Sequence, residues 1–188
     1  MKFISSYIFI ALAALGSTAQ AQALATTTPT APGLEFLFSC NISMGLSLKV
    51  GTGVKNTTRA VFPISGGQAV GPRLQAKVLE VGADWASYGT LLNGVNVADD
   101  ATASKDPKAT TFFGTDARFQ LLTLDGANIL VETKGQTAPG TTTGAVHLRA
   151  HLETTSVAYD WINDILAIGV LRTNSDGYQI DLWQLTTP

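Results

Sequence analysis

His147-Leu148-Arg149-Ala150-His151-Leu152-Glu153 alternates polar and apolar side chains without a break. Period two is the repeat of a β-strand, whose successive side chains point to opposite faces. His147, Arg149, His151 and Glu153 then share one face, and Leu148, Ala150 and Leu152 the other. The polar face is either a solvated outer wall or a strip lining a cavity, with His151 as a candidate contact. The same alternation opens the domain, where Leu34, Phe36 and Phe38 interleave with Glu35, Leu37 and Ser39. Further short Val/Leu/Ile-rich runs at 44–50, 58–63, 73–80, 117–123, 128–133, 145–152, 164–171 and 177–185 read as strands. Gly, Asn, Asp or Pro punctuates most of the gaps, and Asp125-Gly126 is a strong hairpin signal. Asp176-Gly177 precedes the last strand in the same way. No segment patterns as a long helix, and 84–94 allows a short helical turn. The expectation is an all-β fold, a single antiparallel β-barrel of about nine to ten strands with an internal pocket. A barrel is preferred to a sandwich because closure removes sheet edges and leaves an interior able to hold a small ligand.

The chain has 188 residues, of which only 14% are charged and 45% are hydrophobic. That balance fits one folded domain and argues against disorder. Lys2 precedes an apolar stretch, Tyr7 to Leu15, that is too short to cross a bilayer, for which about 20 residues are needed. Small residues at Ala19-Gln20-Ala21 and Ala21-Gln22-Ala23 fit cleavage after 21 or 23. Residues 1–21 therefore read as a secretory signal peptide, 24–33 as a flexible Thr/Pro-rich lead-in and 34–188 as the barrel domain. The competing reading of the leader is an uncleaved buried helix or an anchor. Asn41-Ile42-Ser43 and Asn56-Thr57-Thr58 are glycosylation sequons, in keeping with a secreted or secretory-pathway protein. The net charge is −2 and no basic cluster survives removal of the leader. Nucleic acid and anionic membrane surfaces are therefore not expected partners. Cys40 is alone, which excludes an internal disulfide and favours a buried small hydrophobe.

The standard catalytic motifs are absent: no G-x-S-x-G, H-E-x-x-H or Walker A sequence occurs. One Cys and two His exclude cysteine-based metal sites. His147 and His151 lie four apart on a strand, about 13 Å, which is too far to share an ion. No metal or cofactor is called for. Asp84 beside Trp85 ends an apolar run, so burial can raise its pKa into the range of a general acid or base. The competing role is an acid closing a turn with Trp85 in the core. Tyr159-Asp160-Trp161-Ile162-Asn163 is either a core aromatic pair beside a turn or a pocket wall with Asn163 as hydrogen-bond donor. Arg59 and Arg118 fall inside strand candidates, where a buried guanidinium needs a carboxylate from Asp84, Asp125 or Glu153. Arg118 could also clamp an anionic group. Two long polar segments, 95–115 and 134–144, read as lids or as disordered loops. Phe112-Phe113 tilts the first towards a lid.

Taken in order, Pro63-Ile64-x-Gly66-Gly67, Gly71-Pro72-x-Leu74, Gly82-Ala83-Asp84-Trp85, Arg118 through Thr123-x-Asp125-Gly126-Ala127-x-Ile129, and Tyr159-x-Trp161-Ile162-Asn163 resemble the DUF3237 family, also called UPF0311. Ala76 and Val81 stand where the family commonly has glycine. The resemblance implies a compact β-barrel with an internal pocket. It also implies small-molecule tailoring in polyketide or terpenoid pathways, as for some fungal relatives. It further implies that Asp84, Trp85, Arg59, Arg118, Tyr159, Trp161 and Asn163 gather around one cavity.

The leading functional expectation is a cofactor-free isomerase or cyclase acting on a small hydrophobic metabolite. Asp84 is the acid/base, and Arg118, Tyr159 and Asn163 are candidate donors to a developing oxyanion. Arg59, Trp85, Phe112, Phe113, His151 and Trp161 would contact substrate. The alternatives are a non-catalytic, lipocalin-like binding barrel and a secreted interaction or effector protein. A homodimer is compatible with either.

Overall fold

The computed structural model describes residues 28–53, 56–93, 95–97, 106–137 and 144–187. The expected leader, the first four residues of the lead-in and the middles of both long polar segments lie outside these residues. From Pro32 onward the described chain forms ten strands and one 3-10 helix. The strands are β1 (Gly33–Met44), β2 (Leu48–Thr52), β3 (Thr58–Val70), β4 (Gln75–Leu92), β5 (Val95–Val97), β6 (Ala109–Thr123), β7 (Asn128–Gln136), β8 (Val146–Glu153), β9 (Ala167–Thr173) and β10 (Gly177–Thr186). The 3-10 helix, Val157–Ile162, sits between β8 and β9. No helix among the described residues is long and apolar enough to cross a membrane.

All pairings are antiparallel, in the order β3-β1-β10-β9-β8-β7-β6-β4, and β4 returns to pair with β3. The sheet thus closes into an eight-stranded barrel, which satisfies the backbone of the outermost strands. The short strands β2 and β5 lie outside the ring. β2 pairs with Thr58 to Val61, the part of β3 that β1 does not reach, and β5 pairs with the end of β4. Asn56 and Asn96 tie these extensions together through Asn56 Nδ2 to Asn96 O (3.4 Å) and Asn96 Nδ2 to Thr57 Oγ1 (3.1 Å).

Inside, Phe38, Phe119, Leu121, Ile129, Val131, Leu152, Leu171, Ile180 and Leu182 pack the core. Cys40 is buried among them, and burial pushes its thiol pKa up to about 12, as expected of a structural cysteine. The 3-10 helix plugs one end with Ile162, which is fully buried. Asn163 fixes that plug, since its side chain accepts from Thr154 N–H (2.9 Å) and donates to Thr154 O (3.0 Å).

Several strands run longer than their hydrophobic runs. β4 continues through Gly82 to Leu92, so the helical turn expected at 84–94 does not form. The long polar segment 95–115 contributes β5 and the first half of β6. Its 98–105 stretch lies outside the described residues, as does 138–143, while Phe112 and Phe113, which tilt the segment towards a lid, belong to β6. Polar and glycine residues mask these strands in the sequence, because a barrel bends where its register slips. Register shifts fall between Pro63 and Gly67 on β3 and between Val78 and Gly82 on β4. Gly67 and Gly82 hold φ of 139° and 98° at these bends. A side chain at Gly82 would also run into the Arg118 carbonyl oxygen of the facing strand.

Gly82→Ala should destabilise the domain by roughly 2–3 kcal/mol, from strained φ together with the backbone collision. Gly126→Ala, also at positive φ but with no atom within 4 Å of the added carbon, should cost less. Urea midpoints of the two variants measure the difference, and equal midpoints would show that Gly82 is not a packing corner.

Candidate active site

Asp84 lies on β4 and is fully buried. It pairs with Ala117 on β6, whose side chain faces the interior, so the carboxyl enters the barrel. The β4–β6 ladder lapses between the pairs Asp84–Ala117 and Ser87–Gly114. In that gap the Asp116 N–H donates to Asp84 Oδ1 at 2.9 Å instead of to a strand carbonyl. The second oxygen, Oδ2, has no bonded protein partner among the described residues. The Thr115 and Tyr178 hydroxyls lie close enough to favour the charged form, yet neither reaches Oδ2 in hydrogen-bonding geometry. Desolvation outweighs these contacts, and the pKa of Asp84 is raised above the ordinary carboxylate range. Tyr178, on β10, is buried and stacks edge-on against Phe113, with ring centroids 6.2 Å apart. Burial and the neighbouring Asp84 push its phenol pKa upward, so it stays neutral and can donate.

Register shows what surrounds the carboxyl. Asp84, Ala117, Thr133, Ala150 and Ala167 succeed one another across β4, β6, β7, β8 and β9, each paired with the next. All five are buried, and apart from Asp84 they are small. Phe62 on β3 flanks Asp84 on the other side. Below this belt, towards the 3-10 plug, Phe119, Val131 and Leu152 fill the cross-section. On the other side the inward-facing Tyr88 and Phe113 are only half-buried, which marks the accessible end of the interior. The acid thus stands above a filled floor, in a belt of alanines and a threonine.

The residues expected to converge do not all do so. Trp85 follows Asp84 on the strand and therefore points outward, 43% exposed, with the Arg118 guanidinium 5.9 Å from its ring. Arg118 also faces out, bonding Glu132 (2.7 Å) and Asp116 (3.4 Å) rather than Asp84, Asp125 or Glu153. His151, 3.7 Å from Glu132, completes this outer cluster, so the polar face of β8 is the solvated wall. Arg59 is exposed on the outside of β3. Phe112 and Phe113 split across the sheet: Phe113 packs against the core, and Phe112 lies over Gly89 on the outer side. Tyr159, Trp161 and Asn163 belong to the plug at the far end. Tyr159 donates to Asp125 Oδ1 (3.1 Å), and Trp161 lies under the Arg73 guanidinium (3.6 Å). Asp125, Tyr159 and Arg73 line an outer cleft of about 440 Å³. Asn41 is exposed on the outer face of β1, whereas Asn56 is half-buried with its side chain engaged.

Tyr178, Thr115 and Thr133 were not legible as site residues. Thr115 lay in a segment read as loop, and Tyr178 followed a turn signal without any chemical neighbour in sequence. Counting in twos from Phe119 through Ala117 to Thr115 and Phe113 would have placed Thr115 on the inner face.

Residues 32–185 match the family described as a protein of unknown function, DUF3237. The chain belongs to the DUF3237 family. It is 28% identical over 187 residues to the hydroalkoxylation enzyme phnH of Penicillium herquei, covering 98% of this chain and 99% of that one. A β-barrel-like protein from Acinetobacter baumannii superposes with a TM-score of 0.66 at 23% identity, over 85% of this chain and 99% of its own. A crystallised enzyme from Penicillium herquei superposes with a TM-score of 0.56 at 23% identity, over 85% and 98%. These superpositions agree with the closed barrel of this DUF3237 member.

The raised pKa of Asp84 has a consequence for stability. The folded chain holds this proton more tightly than the unfolded chain, so the contribution is most favourable below the unfolded pKa. It is lost as pH rises through the unfolded value to the folded one. Asp84→Asn should therefore be more stable than the parent protein at neutral pH, with the gain shrinking as the pH falls into the ordinary carboxylate range. Thermal midpoints between pH 4 and 8 read this directly, and a variant equally destabilised at every pH would contradict it.

Proposed function

We propose that the chain is an enzyme that cyclises or isomerises a small hydrophobic, polyketide- or terpenoid-like molecule by acid–base chemistry at Asp84. The observation that carries the reading is a fully buried carboxyl with one oxygen bonded and the other without a bonded protein partner among the described residues. Burying such a group costs stability, and a cost concentrated at one interior position is typical of catalytic sites. The homology to a protein named for hydroalkoxylation supports the reaction class.

Hydroalkoxylation adds an O–H bond across a carbon–carbon double bond. The O–H and π bonds break, C–O and C–H bonds form, and nothing is oxidised or reduced. When both groups belong to one molecule, the product is a cyclic isomer of the substrate. The reaction needs a proton delivered to carbon and another removed from oxygen. Asp84 can do both through Oδ2. Protonated, it delivers its proton to the alkene carbon; ionised, it accepts the hydroxyl proton as the C–O bond forms and is regenerated. Oδ1, held by the Asp116 N–H, keeps the carboxyl oriented during both transfers. Tyr178, neutral and adjacent, stabilises the transient carboxylate. Sequence features alone support a secretory-pathway location: the leader-like segment and the sequon at Asn41, whose side chain is on the outer face.

A substrate with a hydroxyl within ring-closing reach of a double bond, turned over in D2O, should gain one deuterium on carbon. Asp84→Asn should lower kcat by about 10²- to 10⁴-fold with substrate affinity largely kept. Arg118→Met, on the outer wall, should leave kcat unchanged. Full turnover by Asp84→Asn would remove Asp84 from the acid/base role.

A further inference from the structure

Three more buried polar atoms lack a bonded protein partner among the described residues; Asn96 Oδ1 lies apart on β5, and the other two, Thr115 Oγ1 and Thr133 Oγ1, accompany Asp84 Oδ2. Their residues are 3% and 1% exposed, and Asp84 is 0% exposed. They occupy neighbouring strands of one wall. Thr133 on β7 is opposite Ala117, the residue that faces Asp84 from β6. Thr115 is two residues before Ala117 on the same inner face. Each of the two steps, from Asp84 to Thr115 and from Thr115 to Thr133, is a diagonal neighbour contact, about 7–8 Å between backbones and less between side chains.

Buried threonine hydroxyls commonly bond a nearby carbonyl, and Thr154, just past the end of β8, does so here with Asn128 O at 2.7 Å. Thr115 and Thr133 do not. An unpaired buried hydroxyl is destabilising, whereas valine of the same shape would carry no such cost. Three such atoms on one wall, beside a belt otherwise made of alanine, point to something other than packing.

We infer that Thr115 and Thr133 form an oxygen-recognition subsite that orients substrate against Asp84. The ligand is then an oxygenated molecule carrying at least two hydroxyl or carbonyl groups on the end that enters the barrel, and not a bare hydrocarbon. Each threonine can donate to a carbonyl or accept from a hydroxyl, so the pair selects for the position of oxygens more than for their oxidation state. Two oxygens on alternate carbons of a six-membered ring, about 5 Å apart, fall within the span of this diagonal pair. The inference rests on the interior being the substrate site proposed above, but concerns binding rather than proton transfer.

The test is a binding comparison of two probes of similar shape, 1,3-dihydroxynaphthalene and 1,3-dimethylnaphthalene, by calorimetry on the purified protein. The wild type should prefer the diol by tenfold or more. In Thr115→Val/Thr133→Val the diol should lose about tenfold per hydroxyl, while the dimethyl probe is held as well or better. Thr133→Ser should keep the preference. Without ligand, Thr133→Val alone should melt higher by about 2–4 °C, because an unpaired hydroxyl has been removed. Equal affinity for the two probes, binding of neither, a preference that survives in the double variant, or a lower melting temperature for Thr133→Val would each overturn the inference. Because no turnover is measured, failure of this subsite is distinct from failure of Asp84 as the acid/base.

Discussion

A carboxyl inside a closed β-barrel, held by a single backbone N–H, is the constraint around which this molecule is arranged. Antiparallel strands normally spend their N–H groups on each other. Here the β4–β6 ladder gives one up, and Asp116 N–H bonds Asp84 Oδ1 instead. That exchange fixes the carboxyl without satisfying it. Oδ2 has no bonded protein partner among the described residues, in surroundings that resist its ionisation. The bend at Gly82, two residues earlier, is where the strand slips register just before it delivers the acid.

The rest of the fold serves this position. One end of the barrel is closed by Ile162 and the 3-10 helix, with Asn163 binding the backbone on both sides of Thr154. Large side chains fill the cross-section beneath Asp84, and small ones surround it. The outer wall carries the charge: Arg118, Glu132, Asp116, Lys134 and His151 form a connected, solvent-exposed set. Exposed ion pairs of this kind contribute little to stability, and none of these residues faces the interior.

The barrel was legible because strand alternation is a local property. His147 to Glu153 alternates as the strand does, and Asp125-Gly126 turns where it was expected to. Asp84 was legible because an acid at the end of an apolar run is unusual in any strand. Its companions were not. Trp85 and Arg118 are near Asp84 in sequence or pairing, but strand parity sends each to the opposite face. Tyr159, Trp161 and Asn163 make their contacts at the plug and do not meet Asp84. Tyr178 approaches the carboxyl only through closure of the sheet, a long-range consequence that no local pattern displays, and Thr115 only through the β4–β6 pairing. The same parity separates Phe112 from Phe113.

The most direct measurement of the central claim is a carbon-13 NMR titration of the Asp84 carboxyl, assigned by its disappearance in Asp84→Asn. A buried carboxyl with one bonded oxygen should titrate above the ordinary aspartate value of about 3.9. A midpoint at or below that value would mean that the carboxylate is fully satisfied within the protein and is not poised for chemistry in the barrel.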